Sequence, residues 1–167
     1  MVIKIKNNSF IRLDGKKVLI TGVSRPLGIG SALAKRLAEA GAEVAIHGYS
    51  DYDMTVGARQ SAVQNGTEVL AKQLNDLGLN VVALVTGDLM IPGVAEQAVL
   101  EASKKLNGLD GLILNHAYST YGEIGDWTPE HIDSHLLINV RASMMMIQSF
   151  VEQVDTTKEL CYRGSFK

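Results

Sequence analysis

Val18-Leu19-Ile20-Thr21-Gly22-Val23-Ser24-Arg25-Pro26-Leu27-Gly28-Ile29-Gly30 is the stretch whose reading decides the fold. It opens as a continuous apolar, β-branched run, the pattern of a strand buried on both faces of a parallel sheet. It then breaks at a glycine-rich turn. Beyond the turn the period becomes helical, with Ile29, Leu33 and Leu37 on one face and Gly41 as the stop. A strand, a glycine loop and a helix N-terminus together make an anion site. The glycines let the backbone approach a diphosphate, and the unpaired N–H groups and helix dipole face its charge. The strand before and the helix after are the context that a dinucleotide-binding loop requires.

The totals agree with one soluble α/β domain. The chain has 167 residues, 46% of them hydrophobic and 20% charged, and at this size roughly two thirds of the unfolded surface is buried on folding. A formal net charge of -2 argues against general nucleic-acid binding, which needs a basic surface. The single cysteine, Cys161, excludes an internal disulfide and a cysteine-based metal cluster and points to a reducing, cytoplasmic setting. Residues 1–8 alternate lysine with valine and isoleucine and lack the apolar core of a signal peptide. No stretch approaches the ~20 apolar residues of a membrane span.

Outward from the opening stretch, strands and helices alternate. A short strand is expected around residues 10–13, and Asp14-Gly15 marks a turn. The first strand covers residues 17–22 and the body of the first helix 31–40. A second strand spans 43–47, a loop 48–57, and a helix 58–77, weakened in its first half by Gly66. A third strand covers 80–86. Pro92 marks the first turn of the next helix, which carries Ala95, Ala98, Val99, Ala102 and Leu106, and a fourth strand covers 109–115. After a Tyr- and Gly-rich loop, Thr128-Pro129-Glu130 starts a helix that runs to about residue 152. Ile132, Leu136, Val140, Ile147 and Val151 share one of its faces. The methionine run Met144-Met145-Met146 reads as core packing. Four βα units predict a three-layer αβα, Rossmann-type fold with a parallel sheet. Residues 1–155 form this domain. Residues 156–167 form an irregular tail, and the sheet is expected to be incomplete on that side.

Several of these residues together resemble the short-chain dehydrogenase/reductase family, in its 3-oxoacyl-carrier-protein-reductase-like branch, over roughly residues 14–155. Thr21-Gly22 with Gly28-Ile29-Gly30 looks like the family's cofactor loop. Asp88-Leu89, after the third strand, looks like its adenine-binding pair. Asn115-His116-Ala117 sits where the family has Asn-Ala-Gly, and Asn139 matches its catalytic-network asparagine. The resemblance implies that Gly22, Ser24, Arg25, Gly28, Ile29 and Gly30 surround the cofactor. It implies that Asp88 accepts from the adenine amino group, although on sequence alone Asp88 reads equally as a helix cap. Asn115, with His116 and Ala117, would help to fix the cofactor. Asn139 would hold a water of a proton relay through its backbone; its other reading is a locally satisfied asparagine. Two departures stand out. Five residues, Val23 to Leu27, separate the first two glycines, where the family has three. His116 replaces a small residue, either as an acid or substrate contact facing the site or as a solvated side chain.

The resemblance implies a nicotinamide cofactor and a small carbonyl or alcohol substrate. An acid ending the second strand would bind the ribose 2′-hydroxyl of NAD. That place is Gly48, followed by Tyr49, which leaves room for a 2′-phosphate, and Arg25 offers a bidentate partner for it. NADP is therefore preferred, and NAD stays possible through Asp51 or Asp53 if the loop folds back. The family's proton donor is a tyrosine followed four residues later by a lysine, and Tyr162 with Lys167, five apart across Gly164, does not match it. The chain reads as the cofactor-binding part of an oxidoreductase without that dyad. The alternative is a non-catalytic nucleotide-binding or assembly module. The exposed apolar edges of such a truncated fold predict a homo-oligomer.

Overall fold

A computed structural model describes residues 12–55, 62–84, 87–120 and 122–153. The elements are β1 (Lys17–Ile20), α1 (Ile29–Glu39), β2 (Glu43–Ile46), α2 (Ser50–Thr55), α3 (Gly66–Asp76), β3 (Val81–Ala83), α4 (Val94–Leu106) and β4 (Gly111–Ile113). A single 3-10 turn (Ile124–Asp126) follows. Then comes one long rod made of α5 (Pro129–Leu136), a π-helical segment (Leu137–Ala142) and α6 (Ser143–Gln153).

The four strands form one parallel sheet in the order β3-β2-β1-β4. Alternation along the strands divides the core between its two faces. Val18, Ile20, Val44, Ile46 and Val81 pack with Ala34 and Ala38 of α1 and with Leu70 and Leu74 of α3. Leu19, Ala45 and Leu84 pack on the other side with Val99 and Ala102 of α4, Ala142, and Met146 of α6. Helices thus cover both faces, and the three-layer αβα fold expected from the strand–helix alternation is present.

Several local expectations change. Residues 12 and 13 are not strand, and the rest of the expected 10–13 strand lies outside the described residues. The 48–57 loop contains α2, and Gly57 lies outside the described residues. The helix expected over 58–77 is described only from Gly66, with 58–61 outside the described residues. Gly66 is the first residue of that helix, and a Cβ there would collide with the Ser24 carbonyl. Pro92 precedes α4, whose N-cap is Gly93 at φ 87. Residue 85 and 86 of the expected third strand are outside the described residues.

Two helix faces also turn differently. α1 packs through its small residues Gly30, Ser31, Ala34 and Ala38, which bring the helix close to the sheet. Ile29 is therefore 74% exposed rather than part of the core face. In the long rod, Ile132, Leu136, Val140, Ile147 and Val151 are all exposed, joined by Met144, while Ala142 and Met146 pack toward the sheet and Ser149 is buried. Of the methionine run only Met146 is fully buried.

Candidate cofactor cleft

The carboxyl ends of the strands open onto one cleft of about 660 Å³, a size that suits a small-molecule site. Its walls come from every β-to-α connection. Gly22, Ser24, Arg25 and Ile29 follow β1; His47, Gly48, Tyr49 and the α2 residues Asp51, Tyr52, Asp53 and Thr55 follow β2. Asp88, Leu89 and Met90 follow β3; Asn115, His116, Ala117 and Tyr118 follow β4, with Ile138 from the π segment. The chain runs from β1 to β2 and β3 on one side and returns to β4 on the other. A crevice beside β1 is the switch point where open α/β sheets bind ligands.

The glycine loop is a tight one. Gly22 has φ +70, and a Cβ on it would lie 2.7 Å from the backbone of Asn115 and His116. A Cβ on Gly30 would lie 2.6 Å from the Gly22 carbonyl and 2.8 Å from Asn115 Nδ2. The longer spacer does not spoil this approach. It turns outward, leaving Leu27 93% exposed, and it is closed by a hydrogen bond from Gly28 N–H to the Arg25 carbonyl at 3.0 Å. Ser31 Oγ donates to the same carbonyl. Gly28 is the N-cap of α1 without a side-chain cap, so the free N–H groups of the first turn stay open to an anion.

Thr21 is the hub that ties β1 to the loop after β4. Its side chain is fully buried, and Oγ1 accepts from the N–H of Asn115 at 3.1 Å and of His116 at 3.3 Å. It lies 2.7 Å from His116 Nδ1. The other imidazole nitrogen, Nε2, is 3.2 Å from the Ile138 carbonyl and 3.2 Å from Ser143 Oγ. A carbonyl only accepts, so Nε2 carries the proton and Nδ1 accepts from the Thr21 hydroxyl. Burial pushes the His116 pKa down, opposed by its bond to Ile138, in keeping with this neutral ring. Both nitrogens are spent on the protein. His116 is thus neither a solvated loop side chain nor an available acid. Asn115 completes the lacing by donating from Nδ2 to the carbonyls of Thr21 at 3.2 Å and Gly22 at 3.0 Å.

The same loop is held at two further points. Asn139 accepts from Tyr118 N–H at 2.8 Å through Oδ1 and donates to the Tyr118 carbonyl at 3.0 Å through Nδ2. Asn139 is exposed and its side chain is satisfied locally by main chain, which agrees with the second of its two sequence readings. Its carbonyl accepts from Ser143 Oγ at 3.0 Å. On the opposite wall, Tyr52 Oη donates to the Ser119 carbonyl at 2.9 Å and accepts from Ser119 N–H at 3.1 Å. Tyr52 also meets the Tyr118 ring at 5.4 Å between centroids.

The β2 side carries the charges. The loop does fold back: Asp53 is buried, accepts from Ser24 Oγ, and its Oδ1 lies 3.5 Å from Arg25 Nε. Asp88 Oδ1 accepts from Met90 N–H at 2.8 Å, a local turn cap just before α4, while the carboxylate still lines the cleft. Leu89 beside it is buried. Burial, with Asp88 and Asp51 nearby, pushes the Tyr49 hydroxyl above its ordinary range. Sequence reasoning did not single out His47. The residue lines the cleft yet is 2% exposed, and burial, aided by His116 and opposed by Gly87 and Glu101, brings its pKa down to about 4. Among the described residues no group of three or more metal-ligating side chains assembles, and no helix is long and apolar enough to cross a membrane.

Comparison with known proteins converges on this arrangement. The family model described as short chain dehydrogenase matches residues 16–159. Glucose 1-dehydrogenase of Gluconobacter oxydans is 32% identical over 136 residues, which cover 80% of this chain and 45% of that protein. A short chain dehydrogenase from Burkholderia cenocepacia, solved in complex with NADP, superposes with a TM-score of 0.72 at 33% identity, covering 86% of this chain and 52% of that one. A 3-oxoacyl (acyl-carrier-protein) reductase from Agrobacterium tumefaciens with NADP bound gives 0.70 at 26% identity, covering 92% and 53%. The chain thus spans about half the length of the relatives it matches. With the family match extending from β1 past α6, and the parallel sheet and glycine loop arranged as described, the chain belongs to the short-chain dehydrogenase family of oxidoreductases.

Proposed function

We propose that this chain forms the cofactor-binding part of an NADP-dependent oxidoreductase acting on a small carbonyl or alcohol, of the 3-oxoacyl-reductase-like kind. The observation that carries the reading is the close approach of Gly30 to Gly22 at the N-terminus of α1, opening onto a cleft that takes in the ends of all four strands. Gly22, Gly28 and Gly30 would let the diphosphate approach the backbone at the first turn of α1, whose N-terminal N–H groups would face its charge. Ser24 and Ile29 line that seat, and Asp88, Leu89, Asn115, His116 and Ala117 shape the two nucleoside pockets. When bound, the nicotinamide supplies or takes the hydride; the protein residues bind it, orient it and exclude water. Asn139 acts here as a positioning residue, through its paired bonds to Tyr118.

Two features favour NADP. Gly48 presents no carboxylate at the end of β2, and Asp53, the acid of the folded-back loop, is held by Ser24 Oγ and lies against Arg25, which lines the cleft. The sequence contains no tyrosine followed four residues later by lysine, so binding without turnover is the expected behaviour of this chain. The exposed apolar face of the long rod favours a second reading as a nucleotide-binding module that self-associates. Titration following nicotinamide fluorescence tests both. NADPH is expected to bind about tenfold more tightly than NADH, and Arg25→Ala to erase the difference, as loss of one charge-assisted pair implies. A 3-oxoacyl thioester should leave NADPH unoxidised under the second reading and under the partial-site reading alike. Failure of both dinucleotides to bind would remove the proposal.

A further inference from the structure

Two consecutive residues of the loop after β4 are each gripped by a side chain at both their N–H and their carbonyl. Asn139 of the rod takes Tyr118, accepting from its N–H at 2.8 Å and donating to its carbonyl at 3.0 Å. Tyr52 of α2 takes Ser119, its hydroxyl donating to the carbonyl at 2.9 Å and accepting from the N–H at 3.1 Å. The Tyr118 ring is also met from both directions. Its centroid lies 5.4 Å from that of Tyr52 and, edge-on, 4.9 Å from that of His135. Asn139 and His135 both belong to the rod, so the rod by itself keeps the loop in place. Tyr52 adds a grip from the opposite wall, and its release leaves the loop seated on Asn139 and His135.

The path of this tie is set by the sheet. β2 lies on one side of β1 and β4 on the other, so a side chain reaching from α2 to the loop after β4 passes across the end of β1, where the glycine loop stands. Tyr52 and Tyr118 line the same cleft as Gly22 and Ile29. A dinucleotide seated at the switch point also crosses from one side of β1 to the other. Ligand and tie therefore run the same way past the same glycine loop. α2 itself is anchored, because Ser50 Oγ accepts from Gly66 N–H at 3.1 Å and Asp53 is held by Ser24 and lies beside Arg25. The part left to move is the Tyr52 side chain, which changes place by rotation between staggered rotamers. We infer that Tyr52 is a positioning residue that straps the cleft: it holds Ser119 across the opening, lets go for a dinucleotide to enter or leave, and closes again over the bound one. This inference rests on the dinucleotide reading of the cleft and adds to it the residue that sets the rate of exchange. A strap closed equally with and without ligand changes rates and not affinity, because it does not favour one state over the other.

Tyr52→Phe keeps the ring and removes both hydrogen bonds. Stopped-flow mixing of the whole chain with NADPH, followed by nicotinamide fluorescence, should show association and dissociation both faster by about tenfold, with Kd held within about twofold. Tyr52→Leu, which also gives up the ring contact, should be at least as fast, and it carries the comparison if the phenylalanine variant fails to fold. Amide hydrogen exchange gives a readout without ligand. Exchange at Ser119 should accelerate in both variants, while exchange at Tyr118, held by Asn139, should stay as in the wild type. Unchanged rates in both variants overturn the inference, and so does unchanged exchange at Ser119. Faster dissociation with unchanged association also overturns it, since Tyr52 would then be an ordinary ligand contact. If wild-type protein binds no dinucleotide, the reading of the cleft fails and the strap's part in exchange falls with it. That result is distinct from dinucleotide binding at rates that Tyr52 does not affect.

Discussion

Thr21→Val replaces a hydroxyl by a methyl of nearly the same volume, so its effect isolates hydrogen bonding. In the folded chain the hydroxyl meets four groups: it accepts from Asn115 N–H at 3.1 Å and His116 N–H at 3.3 Å, and its proton faces His116 Nδ1 at 2.7 Å with the Ile113 carbonyl farther off at 3.4 Å. The threonine is fully buried and water has no easy route to replace it. Each group left unpaired at such a site costs about 1–3 kcal/mol, and neighbouring losses are less than additive. The expected destabilisation is therefore about 2–4 kcal/mol, a large part of the ~5–15 kcal/mol by which a domain is stable. Urea unfolding followed by far-ultraviolet circular dichroism measures it, with Thr21→Ser as the control that keeps the oxygen. Because the freed residues form the β4-side wall, NADPH affinity should fall in the valine variant even where it is fully folded. A valine variant within about 0.5 kcal/mol of wild type, or a serine variant as damaged as the valine one, would refute the hub assignment.

Two further outcomes follow from the same geometry. Gly30→Ala places a Cβ 2.6 Å from the Gly22 carbonyl and 3.0 Å from Val23 Cγ2; backbone cannot yield cheaply, so thermal unfolding should show a loss of about 1–3 kcal/mol and NADPH titration a weaker site. Gly125→Ala, with nothing within 4 Å and no positive φ, should be near neutral in the same assays. The pH dependence of stability has a definite sign. His47 is held at about 4 against an ordinary 6.5, so the unfolded chain takes up the proton first as pH falls. Stability is complete above pH 6.5, declines between 6.5 and about 4 by on the order of 3 kcal/mol from this residue, and levels below. His116, also lowered by burial, adds to the decline in the same direction. His47→Leu should flatten the profile measured by urea unfolding at stepped pH; an unchanged slope would remove His47 as its source.

The parts of this structure that were legible in the sequence are those whose signal is local. Val18–Ile20 and Val44–Ile46 lie in the middle of a parallel sheet, so their apolar runs are uninterrupted and easy to read. Thr128 caps α5, accepting from His131 N–H at 3.4 Å, and Pro129 occupies its first position, as the residue types alone imply. What was misread depends on distant partners. Ile29, Leu33 and Leu37 give a proper helical stripe. Leu33 and Leu37 do pack against the core, but Ile29 is exposed and the buried face of α1 is Gly30, Ala34 and Ala38, because a glycine must meet Gly22. The six residues of α2 have no apolar period. The segment is held by Ser50 Oγ accepting from Gly66 N–H at 3.1 Å, and by Asp53 against Ser24 and Arg25. None of these partners is near in sequence. Ile132, Leu136 and Val140 mark a helix correctly, but periodicity does not say which face meets the sheet.

The order β3-β2-β1-β4 explains why the cleft is so heavily cross-tied. At a switch point the connections after β1 and β4 diverge to opposite sides, which opens a crevice and also removes the covalent continuity that would keep its walls in register. Side chains replace that continuity. Thr21 and Asn115 bind the end of β1 to the end of β4. His116 carries the link on to Ile138, and Asn139 returns it to Tyr118. Tyr52 reaches from α2 to Ser119, joining the β2 side to the β4 side across the opening. Each tie ends on backbone rather than on another flexible side chain, so what is fixed is the path of the loop itself. A wall fixed in this way is preorganised: little ordering remains to be done when a ligand enters, and binding energy is not consumed in assembling the site. Polar residues at the strand ends therefore serve two ends at once, pairing buried backbone and setting the distance between the two halves of the pocket.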